Sequence, residues 1–363
     1  MKKKVLICAG GTGGHLFPAQ ALALQLREKC PSIEIQFMAK GLNDNKHFRK
    51  DLFSFLDVAS GTISKNPLKL VQGAFQLTKG VWQSLQAMRK RAPDLVIGFG
   101  SYHTLPVLFS SVFLQIPLIL HESNSIAGKA NRLFSKRAEW TGLFFPDAKS
   151  TIKGASREVN IPLRKEFEST KRPTKNEALA YYGLHAGKKT ILVFGGSQGA
   201  QGINQLFLEA LCHLKNKIDF QVLHLTGSAS SVVEAYKQVA IEACVKEFEP
   251  KMHYALSVAD LAICRAGAST IAELIAFQLP AIFIPYPHAS DNHQEKNAEY
   301  VEKVIQGGKT FLQRTVVPAE LAEAVISLLE DKKNQEIKAH LARYFEKMNK
   351  SDFCDEILKF LKG

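Results

Sequence analysis

A glycine-rich turn between a short apolar run and a helical pattern occurs twice in this chain, and the repeat constrains the fold more than any other feature. In the first copy, residues 5–9 form the apolar run, and the turn reads Gly10-Gly11-Thr12-Gly13-Gly14-His15. In the second copy, residues 190–194 precede the turn Gly195-Gly196-Ser197-Gln198-Gly199. A helical pattern follows each turn, and strands joined to helices in this way build parallel, doubly wound sheets. The sequence therefore predicts two Rossmann-like α/β domains.

The alternation of apolar runs and helical patterns continues through both halves of the chain. It predicts a helix at residues 126–137 and further strands at residues 33–38, 95–97, 118–120, 220–225, 261–264 and 281–284. A polar stretch flanked by Pro162 and Pro173 interrupts the alternation and is typical of a connector. The 363 residues are therefore predicted to form two domains, residues 1–164 and 165–363, with the last helix free to pack back on the first domain.

The first glycine turn is a candidate binding site for a phosphorylated ligand. Glycine lets a ligand approach the backbone, and the N-terminus of the following helix presents N–H groups to an anion. His15 begins that helix, where its imidazole can take a proton from an attacking hydroxyl near neutral pH. The spacing differs from the dinucleotide fingerprint, because Leu16 occupies the place of the third glycine and no acid ends the second strand. The structural alternative is a tight turn beside an incidental histidine.

A second polar cluster follows a predicted strand in the second half. The run Cys264-Arg265-Ala266-Gly267-Ala268-Ser269-Thr270 joins that strand to a helix, and its two hydroxyls can donate to phosphate. Glu273 is expected on the first turn of this helix, where a carboxylate either bonds the hydroxyls of a ribose or complements the helix dipole. Residues 291–297 are dense in hydrogen-bonding side chains and form either part of a site or an ordinary surface loop.

Composition narrows the class of protein. Six scattered cysteines without a C-x-x-C pair favour buried thiols in a reducing cytosol over disulfides or a zinc site. No apolar run approaches the ~20 residues of a membrane span, and the run after Lys2-Lys3-Lys4 is too short for a signal peptide. The net charge of +13 predicts an anionic partner and leaves open nucleic acid, anionic lipid or a phosphorylated metabolite.

Five motifs together resemble one family, the N-acetylglucosaminyltransferases of bacterial peptidoglycan synthesis in glycosyltransferase family 28. They cover nearly the whole chain in the family's order, at residues 10–19, 121–124, 195–200, 264–273 and 291–298. The resemblance implies the GT-B fold, in which two Rossmann-like domains, one for the acceptor and one for the donor, face each other across a cleft. It also implies inverting transfer of N-acetylglucosamine from UDP-N-acetylglucosamine to the muramyl C4 hydroxyl of lipid I, an undecaprenyl-diphosphate-linked muramyl peptide, which gives lipid II.

The resemblance further implies the donor-binding residues, with Glu273 on the ribose and Glu249 at the uracil. The full set is Thr12, Gly13, Gly14, Asn124, Arg164, Ser197, Glu249, Ala268, Ser269, Thr270, Ile271, Ala272, Glu273 and Gln294. Arg164 ends a segment with one residue more than the family's N-P-V-R. Other positions depart from the family pattern. Ser101 and Leu105 replace glycines, and Ser123 replaces a glutamine. Glu249 stands where the family has an apolar residue, and Ala266 stands where it has a serine.

An inverting transfer needs a base for the acceptor hydroxyl and groups that hold the departing UDP. His15 is the candidate base, and Glu122 is the lower-ranked carboxylate alternative. Ser197, Thr270, Arg164 and helix N-termini can meet the charge of the leaving group. Because the chain contains no Asp-x-Asp, we expect no tightly bound catalytic metal. We also expect no cofactor.

A lipid-linked acceptor demands access to a membrane, and residues 65–91 are suited to an anionic inner-membrane surface. This segment carries basic residues and no acid: Lys65, Lys69, Lys79, Arg89, Lys90 and Arg91. On a helical wheel its large apolar residues share a broad face: Leu70, Val71, Phe75, Val81, Trp82 and Leu85. Such a face fits either a core-packed helix or a helix lying in the membrane interface. The resemblance implies peripheral attachment to the cytoplasmic face of the inner membrane.

Two other functions fit parts of the pattern. Another nucleotide-sugar transferase of the GT-B fold would act on a different lipid or a small-molecule acceptor. A non-enzymatic basic protein that binds RNA or membrane would explain the charge but not the paired glycine turns. The chain has no recognisable RNA-binding motif, so we expect no nucleic-acid partner.

Overall fold

A computed structural model describes residues 2–61, 66–196, 199–227 and 230–362, and the chain divides into two compact units. The first unit comprises Met1–Arg164 and Met348–Gly363, and the second comprises Lys165–Lys347. The strands, in chain order, are β1 Lys4–Cys8, β2 Glu34–Ala39, β3 Ser54–Asp57, β4 Leu95–Gly98, β5 Leu118–Glu122, β6 Trp140–Leu143, β7 Ser156–Glu158, β8 Lys189–Phe194, β9 Phe220–Leu225, β10 Ala243–Lys246, β11 Leu261–Cys264, β12 Ala281–Phe283 and β13 Gly308–Thr310.

Helices connect most of these strands and cover both faces of the sheets. In chain order they are α1 Gly13–Lys29, α2 Pro67–Arg91, α3 Leu105–Phe113, α4 Lys129–Phe134, α5 Lys175–Tyr182, α6 Gln201–Leu214, α7 Ser230–Val239, α8 Met252–Val258, α9 Ala268–Ala276, α10 His293–Tyr300, α11 Pro318–Leu329, α12 Asp331–Asn349 and α13 Phe353–Lys362.

Each unit contains one parallel sheet with the doubly wound strand order, as the repeated strand–turn–helix pattern predicts. The order is β3-β2-β1-β4-β5-β6-β7 in the first unit and β10-β9-β8-β11-β12-β13 in the second. The glycine turns follow β1 and β8, the strands at which each order reverses. In open α/β sheets, ligands bind beyond the carboxyl ends of the strands at this reversal point.

Two apolar layers explain why the strands read as continuous apolar runs rather than as alternating patterns. On one face of the first sheet, Ile7 and Phe37 pack with Leu22 of α1 and Phe353 of α13. On the other face, Val96 and its neighbours pack with Met88 of α2, Leu108 of α3 and Phe134 of α4. Because helices cover both faces, successive residues of a strand are buried alike.

The C-terminal helix α13 belongs to the first unit, so the second unit ends at Lys347 rather than at residue 363. The Phe353 ring packs edge-on against Phe99 and Trp140. Its backbone N–H donates to Oδ1 of Asn160 at 2.9 Å. The Lys29 ammonium pairs with Asp355 at 2.7 Å. An amphipathic helix takes the apolar surface available to it, whichever domain precedes it in sequence.

The helix predicted at residues 126–137 is shorter than its pattern. The α-helix covers only Lys129–Phe134, and a 3₁₀ turn Ser135–Arg137 follows it. Residues 123–128 form a loop instead, because the Glu122 carboxylate accepts hydrogen bonds from their backbone. The short strands β6, β7, β10 and β13 were not predicted, because glycine or polar residues occupy part of each, whereas the equally short β4, β11 and β12 are mainly apolar.

Candidate functional site

The first glycine turn leads directly into α1. Thr12 is the N-cap residue in an extended conformation, and the N–H groups of His15 and Leu16 donate to its carbonyl at 3.2 and 3.3 Å. A Cβ on Gly10 would lie 2.8 Å from Cβ of His103, so the chain can pass there only as glycine. A Cβ on Gly14, by contrast, would approach nothing closer than 3.7 Å. The start of α1 is thus open to a ligand, with half-buried His15 on its first turn.

The loop after β4 packs against this turn. Ser101 has φ +77° and ψ 144°, a conformation that glycine adopts freely and other residues rarely do. Its hydroxyl lies 2.9 Å from Nδ1 of His103, and that nitrogen lies 3.2 Å from where a Cβ of Gly11 would be. The backbone at position 101 therefore has a conformation typical of glycine although the residue is serine.

Glu122, at the end of β5, organises the loop that carries Asn124. Its carboxylate is 3% exposed and accepts hydrogen bonds from the backbone N–H groups of Asn124 and Gly128 at 2.9 and 2.8 Å. The side-chain amides of Asn131 and Asn124 donate to it at 2.8 and 3.3 Å. Burial raises the pKa of Glu122, and these donors oppose the shift. Both carboxylate oxygens are thus engaged in holding the loop.

His121 precedes Glu122 and is a buried, neutral histidine. Its ring lies between Phe99 and Phe353, and its Nε2 lies 3.1 Å from the carbonyl oxygen of Asn160. Burial lowers the pKa of His121 to about 4, and the nearby charge of His15 acts in the same direction. His121 is thus a buried core residue at the end of β5 in the first unit.

Arg164 also lies beside α1. Its guanidinium is 5.1 Å from the ring centroid of Phe17, which follows His15 by two residues. The amide of Gln25, further along α1, donates to the carbonyl of Leu163 at 3.1 Å. The structure thus gathers Thr12, His15 and Arg164 of the predicted set at one end of the first unit.

The second glycine turn is equally dependent on glycine. Gly196 and Gly199 have φ values of +93° and +72°. A Cβ on Gly199 would lie 2.5 Å from the carbonyl oxygen of Thr226. Ser197, predicted from the sequence as part of the donor site, lies outside the described residues.

In α9 the predicted donor residues divide between two faces. Ala268, Ile271 and Ala272 are buried in the core, whereas Ser269, Thr270 and Glu273 are half-buried. The helix begins at Ala268 with Gly267 as N-cap, so Glu273 lies on the second turn and not on the first as expected. Because the dipole effect is confined to the first turn, simple dipole complementation no longer accounts for this carboxylate.

Side chains of the neighbouring loops fix the approach to α9. The Asn297 amide, on α10, donates to the carbonyl of Ala266 at 3.1 Å, and the Arg265 guanidinium donates to the carbonyls of Ile284 and Pro285 at 2.9 and 3.1 Å. Gln294 accepts from the N–H of Tyr286 at 3.0 Å. The loops after β11 and β12 are therefore held together.

Glu249, predicted at the uracil, turns its carboxylate into the protein. The residue is 2% exposed, its Oε2 lies 2.6 Å from the Lys246 ammonium, and its Oε1 accepts from the N–H of Lys251 at 2.8 Å. A ligand at this position would meet the Glu249 backbone and not its side chain. The charged replacement of an apolar residue is thereby accommodated inside the unit.

Asn131 and His103 were not singled out from the sequence, and Arg265 was named only as a member of the 264–270 run; all three position the site loops. Each lies close to a strand end, and Asn131 is a buried amide on α4. The sequence offered one signal for Asn131, since it is an isolated asparagine within the helical pattern of residues 126–137.

The described residues provide neither a metal cluster nor a helix suited to span a membrane. Among them, no group of three or more His, Cys, Asp or Glu side chains is arranged to hold a metal ion. No helix in the described part of the chain is long and apolar enough to cross a membrane.

Comparison with protein families and curated sequences gives matches over most of the chain. Residues 5–142 match the glycosyltransferase family 28 N-terminal domain, and residues 190–356 match the glycosyltransferase family 28 C-terminal domain. A Protochlamydia amoebophila protein is 42% identical over 362 residues, covering 99% of this chain and 96% of the relative. A Chlamydia pneumoniae protein is 34% identical over 360 residues, which cover 97% of this chain and 98% of the relative. Both are named UDP-N-acetylglucosamine–N-acetylmuramyl-(pentapeptide) pyrophosphoryl-undecaprenol N-acetylglucosamine transferase.

Solved structures share the fold. MurG of Acinetobacter baumannii superposes with a TM-score of 0.76 at 24% identity, and 99% of each chain is covered. A single-residue variant of the Os79 protein of O. sativa, solved with UDP, has a TM-score of 0.72 at 10% identity over 99% of each chain. At these identities the likeness concerns the fold alone, and it confirms the predicted GT-B class with its two parallel-sheet domains.

Proposed function

Because this chain belongs to glycosyltransferase family 28, we propose that it transfers N-acetylglucosamine from UDP-N-acetylglucosamine to lipid I, the undecaprenyl-diphosphate-linked muramyl pentapeptide, and so forms lipid II. The observation that carries the proposal is the 42% identity, over nearly the full length of both chains, to a transferase named for this reaction. The chain is a glycosyltransferase, and the two glycine turns at the reversal points of its sheets are the sites where such a fold binds its substrates.

The second unit supplies most of the donor site in this proposal. Ser269, Thr270 and the N-terminus of α9 hold the diphosphate, because hydroxyls and helix N–H groups donate to phosphate oxygens. Glu273, half-buried on the second turn of α9, accepts from the ribose hydroxyls. Glu249 meets the uracil through its backbone, since its side chain is engaged with Lys246. Ser197 and Gln294 complete the set carried over from the family resemblance.

His15 is the proposed catalytic base. Its imidazole takes the proton from the muramyl C4 hydroxyl while the oxygen bonds to the anomeric carbon. The bond from that carbon to the diphosphate oxygen breaks in the same displacement, and the configuration inverts. The negative charge on the departing UDP is met by Thr270, Arg164 and the helix N-termini. Thr12, Gly13, Gly14 and Asn124 border this step, and the proposal requires no cofactor or bound metal.

The first unit is proposed to dock on an anionic membrane surface through a docking face on α2 and α3. This face consists of exposed apolar side chains: Leu68, Leu70, Val71, Phe75, Trp82, Phe109 and Phe113. Exposed Lys69, Lys79, Arg89, Lys90 and Arg91 lie on the same helix α2, whereas Lys65 lies outside the described residues. Apolar anchors with surrounding basic charge are typical of helices that lie in a membrane interface.

The packing of α2 favours this docking. The buried positions of the helix are small or narrow residues, Gly73, Gly80, Ser84 and Met88, and they face the body of the unit. A Cβ on Gly80 would meet the carbonyl oxygen of Ala59, so the helix backbone lies directly on its neighbours. The large side chains therefore point outwards: Phe75 is 65% exposed and Trp82 60%. A core-packed helix would have the opposite arrangement.

The decisive experiment is transfer of labelled N-acetylglucosamine from UDP-N-acetylglucosamine to a short-chain lipid I analogue. We expect a product that carries one additional sugar and release of one UDP for each transfer. Absence of product, with no rise in melting temperature on adding UDP or UDP-N-acetylglucosamine, would refute the proposed function. Transfer to an unrelated acceptor but not to the lipid I analogue would refute the acceptor.

A further inference from the structure

Three buried side chains of the second unit form a continuous hydrogen-bonded row, which we call the His224 network. His224, on β9, places Nδ1 2.9 Å from the hydroxyl of Tyr236 on α7 and Nε2 3.0 Å from Oδ1 of Asn204 on α6. The Asn204 Nδ2 donates to the carbonyl oxygen of Thr226 at 3.0 Å. The network therefore joins two helices and a strand to the loop that follows β9.

The direction of each hydrogen bond follows from the one before it. Because Asn204 directs its NH₂ group to Thr226, its oxygen faces His224 and accepts from Nε2–H. Nδ1 of His224 then accepts from the Tyr236 hydroxyl. A single ring proton satisfies both bonds, and burial lowers the pKa of His224 to about 4, which keeps the ring neutral at physiological pH. Every member of the network is satisfied, which makes it rigid.

The end of the network is the surface against which Gly199, the last residue of the second glycine turn, packs. A Cβ on Gly199 would lie 2.5 Å from the Thr226 carbonyl oxygen, so turn and carbonyl are in direct contact. The Thr226 N–H donates to the carbonyl of Lys246 at 3.0 Å, and the Asn204 N–H donates to that of Ala200 at 3.0 Å. A displacement of Asn204 or Thr226 would therefore displace the turn.

We propose that Asn204, His224 and Tyr236 are positioning residues for donor binding: they hold Gly199, the last residue of the second glycine turn, in the place that donor binding requires. They act through the Thr226 carbonyl and the start of α6, not through contact with the donor. The inference rests on the proposed function, since that function assigns this glycine turn to the donor.

The chain offers a matched control on the same strand. Gln221 is also buried on β9, but its amide donates to the His185 carbonyl and to Thr190 Oγ1 at 2.9 and 3.0 Å, at the opposite end of the strand. Gln221→Leu therefore removes a buried polar group of similar cost without touching the glycine turn. It separates loss of stability from loss of donor positioning.

The experiment compares donor KM, kcat and the Kd for UDP in His224→Leu, Tyr236→Phe, His224→Gln and Gln221→Leu. We expect His224→Leu to raise donor KM and the UDP Kd about ten-fold, and Tyr236→Phe about three-fold, with kcat at saturating donor nearly unchanged. His224→Gln supplies one donor and one acceptor and should restore most of the affinity. Gln221→Leu should lower the melting temperature and leave donor KM unchanged.

The possible failures are distinguishable. If the wild-type chain binds the donor and His224→Leu and Tyr236→Phe bind it equally well, the network is only structural and the inference is wrong. An equal rise of KM in Gln221→Leu would also overturn it, because general loss of stability would then be the cause. If the wild-type chain itself binds neither UDP nor UDP-N-acetylglucosamine, the proposed function fails, and the donor-positioning role fails with it.

Discussion

Glu122 and His15 were both candidate bases, and their surroundings separate them. The Glu122 oxygens already accept three hydrogen bonds from the loop that follows β5 and a fourth from Asn131 of α4, and the residue is buried. A carboxylate so engaged positions Asn124 and cannot also take a proton without releasing the loop. His15 is half-buried on the first turn of α1, next to the open space at Gly14. These surroundings favour the His15 imidazole over the Glu122 carboxylate as the proposed base.

The first prediction concerns His15. His15→Ala should lower kcat by about 10²–10⁴-fold, the usual contribution of a positioned general base, and leave the donor KM nearly unchanged. Steady-state kinetics with the short-chain acceptor measure both. Glu122→Gln provides the comparison: its NH₂ group would face N–H donors, so its main effect should be a lower melting temperature. Near-wild-type kcat in His15→Ala would identify a different base.

The second prediction concerns Ser101, which adopts a backbone conformation suited to glycine. Ser101→Gly should raise the free energy of unfolding by about 1 kcal/mol, because relief of the positive φ exceeds the loss of the hydroxyl contact with His103. Ser54→Gly, on β3 with ordinary extended backbone, should lower it instead. Denaturant titration of both variants measures the difference, and destabilisation by Ser101→Gly would show that the hydroxyl contact outweighs the strain.

At the scale of elements, α2 and α9 show how far a helical pattern specifies its surroundings. The wheel of α2 gives a broad apolar face that fits core or membrane equally well. In the structure Leu70, Val71, Phe75 and Trp82 of that face are exposed, Val81 and Leu85 are half-buried, and the glycines are buried, because only residues without large side chains fit against the Ala59 carbonyl. In α9, by contrast, the apolar residues face the core as their spacing predicts.

The third prediction concerns α2 and the membrane. Replacing Lys69, Lys79 and Arg89 by Ala should weaken binding to anionic vesicles about 100-fold at low salt, since each basic residue near such a surface contributes about 1 kcal/mol. Vesicle co-sedimentation measures the binding, and turnover of the short-chain acceptor should persist.

The control removes the same charge elsewhere. Lys215, Lys217 and Lys332 are exposed in the second unit, and their replacement by Ala changes the net charge equally. If both triple variants are released from the vesicles equally, binding depends on the overall charge of the protein. If neither is released, the docking face lies elsewhere.

The fourth prediction concerns Glu273 of α9. Glu273→Gln should raise the Kd for UDP by about ten-fold, within the 1–3 kcal/mol expected when polar partners lose a charged acceptor. The melting temperature of the free protein should hardly change, because the side chain is only half-buried. Glu209→Gln, an exposed change of the same charge on α6, is the control for calorimetric titration. An unaltered Kd would remove Glu273 from the donor site.

At the scale of the whole molecule, the described part of each unit has a fully buried histidine whose two ring nitrogens are hydrogen-bonded. His121 lies beside Phe353 of the C-terminal helix in the first unit, and His224 lies at the centre of its network in the second. Burial lowers both pKa values to about 4. Each unit therefore resists protonation that its unfolded chain accepts readily, and the stability of both depends on pH.

The fifth prediction follows from the sign of these shifts. An unfolded histidine binds a proton near pH 6.5, whereas His121 in the folded unit stays neutral to about pH 4. Its contribution to stability is therefore complete above pH 6.5 and is lost as the pH falls towards 4, by up to about 3 kcal/mol. Trp82 and Trp140 are the two tryptophans and both lie in the first unit, so tryptophan fluorescence during urea unfolding reports this unit. His121→Gln should show a shallower loss between pH 6.5 and 5, and an unchanged slope would contradict the assignment.

Local patterns in the sequence determined the alternation of strands and helices, the two glycine turns and their place before α1 and α6. These features depend on neighbouring residues alone: apolar periodicity selects the element, and glycine permits the turn. The parallel sheets and the GT-B class follow from the same alternation together with the family motifs. The strands β6 and β13 were not predicted, because each contains glycine and polar residues and lacks the continuous apolar run that marked the equally short β4, β11 and β12.

Tertiary structure alone decided how distant residues share space. It placed α13 on the first unit, turned the aromatic side chains Phe75 and Trp82 of α2 outwards, and joined Asn204, His224 and Tyr236 beneath the end of a glycine turn. It also turned Glu249 inwards to Lys246 and gave Glu122 its four donors. Each outcome depends on which groups meet across long sequence separations and on the cost of burying a polar group without a partner. No local pattern contains that information, because the partners come together only when the chain folds.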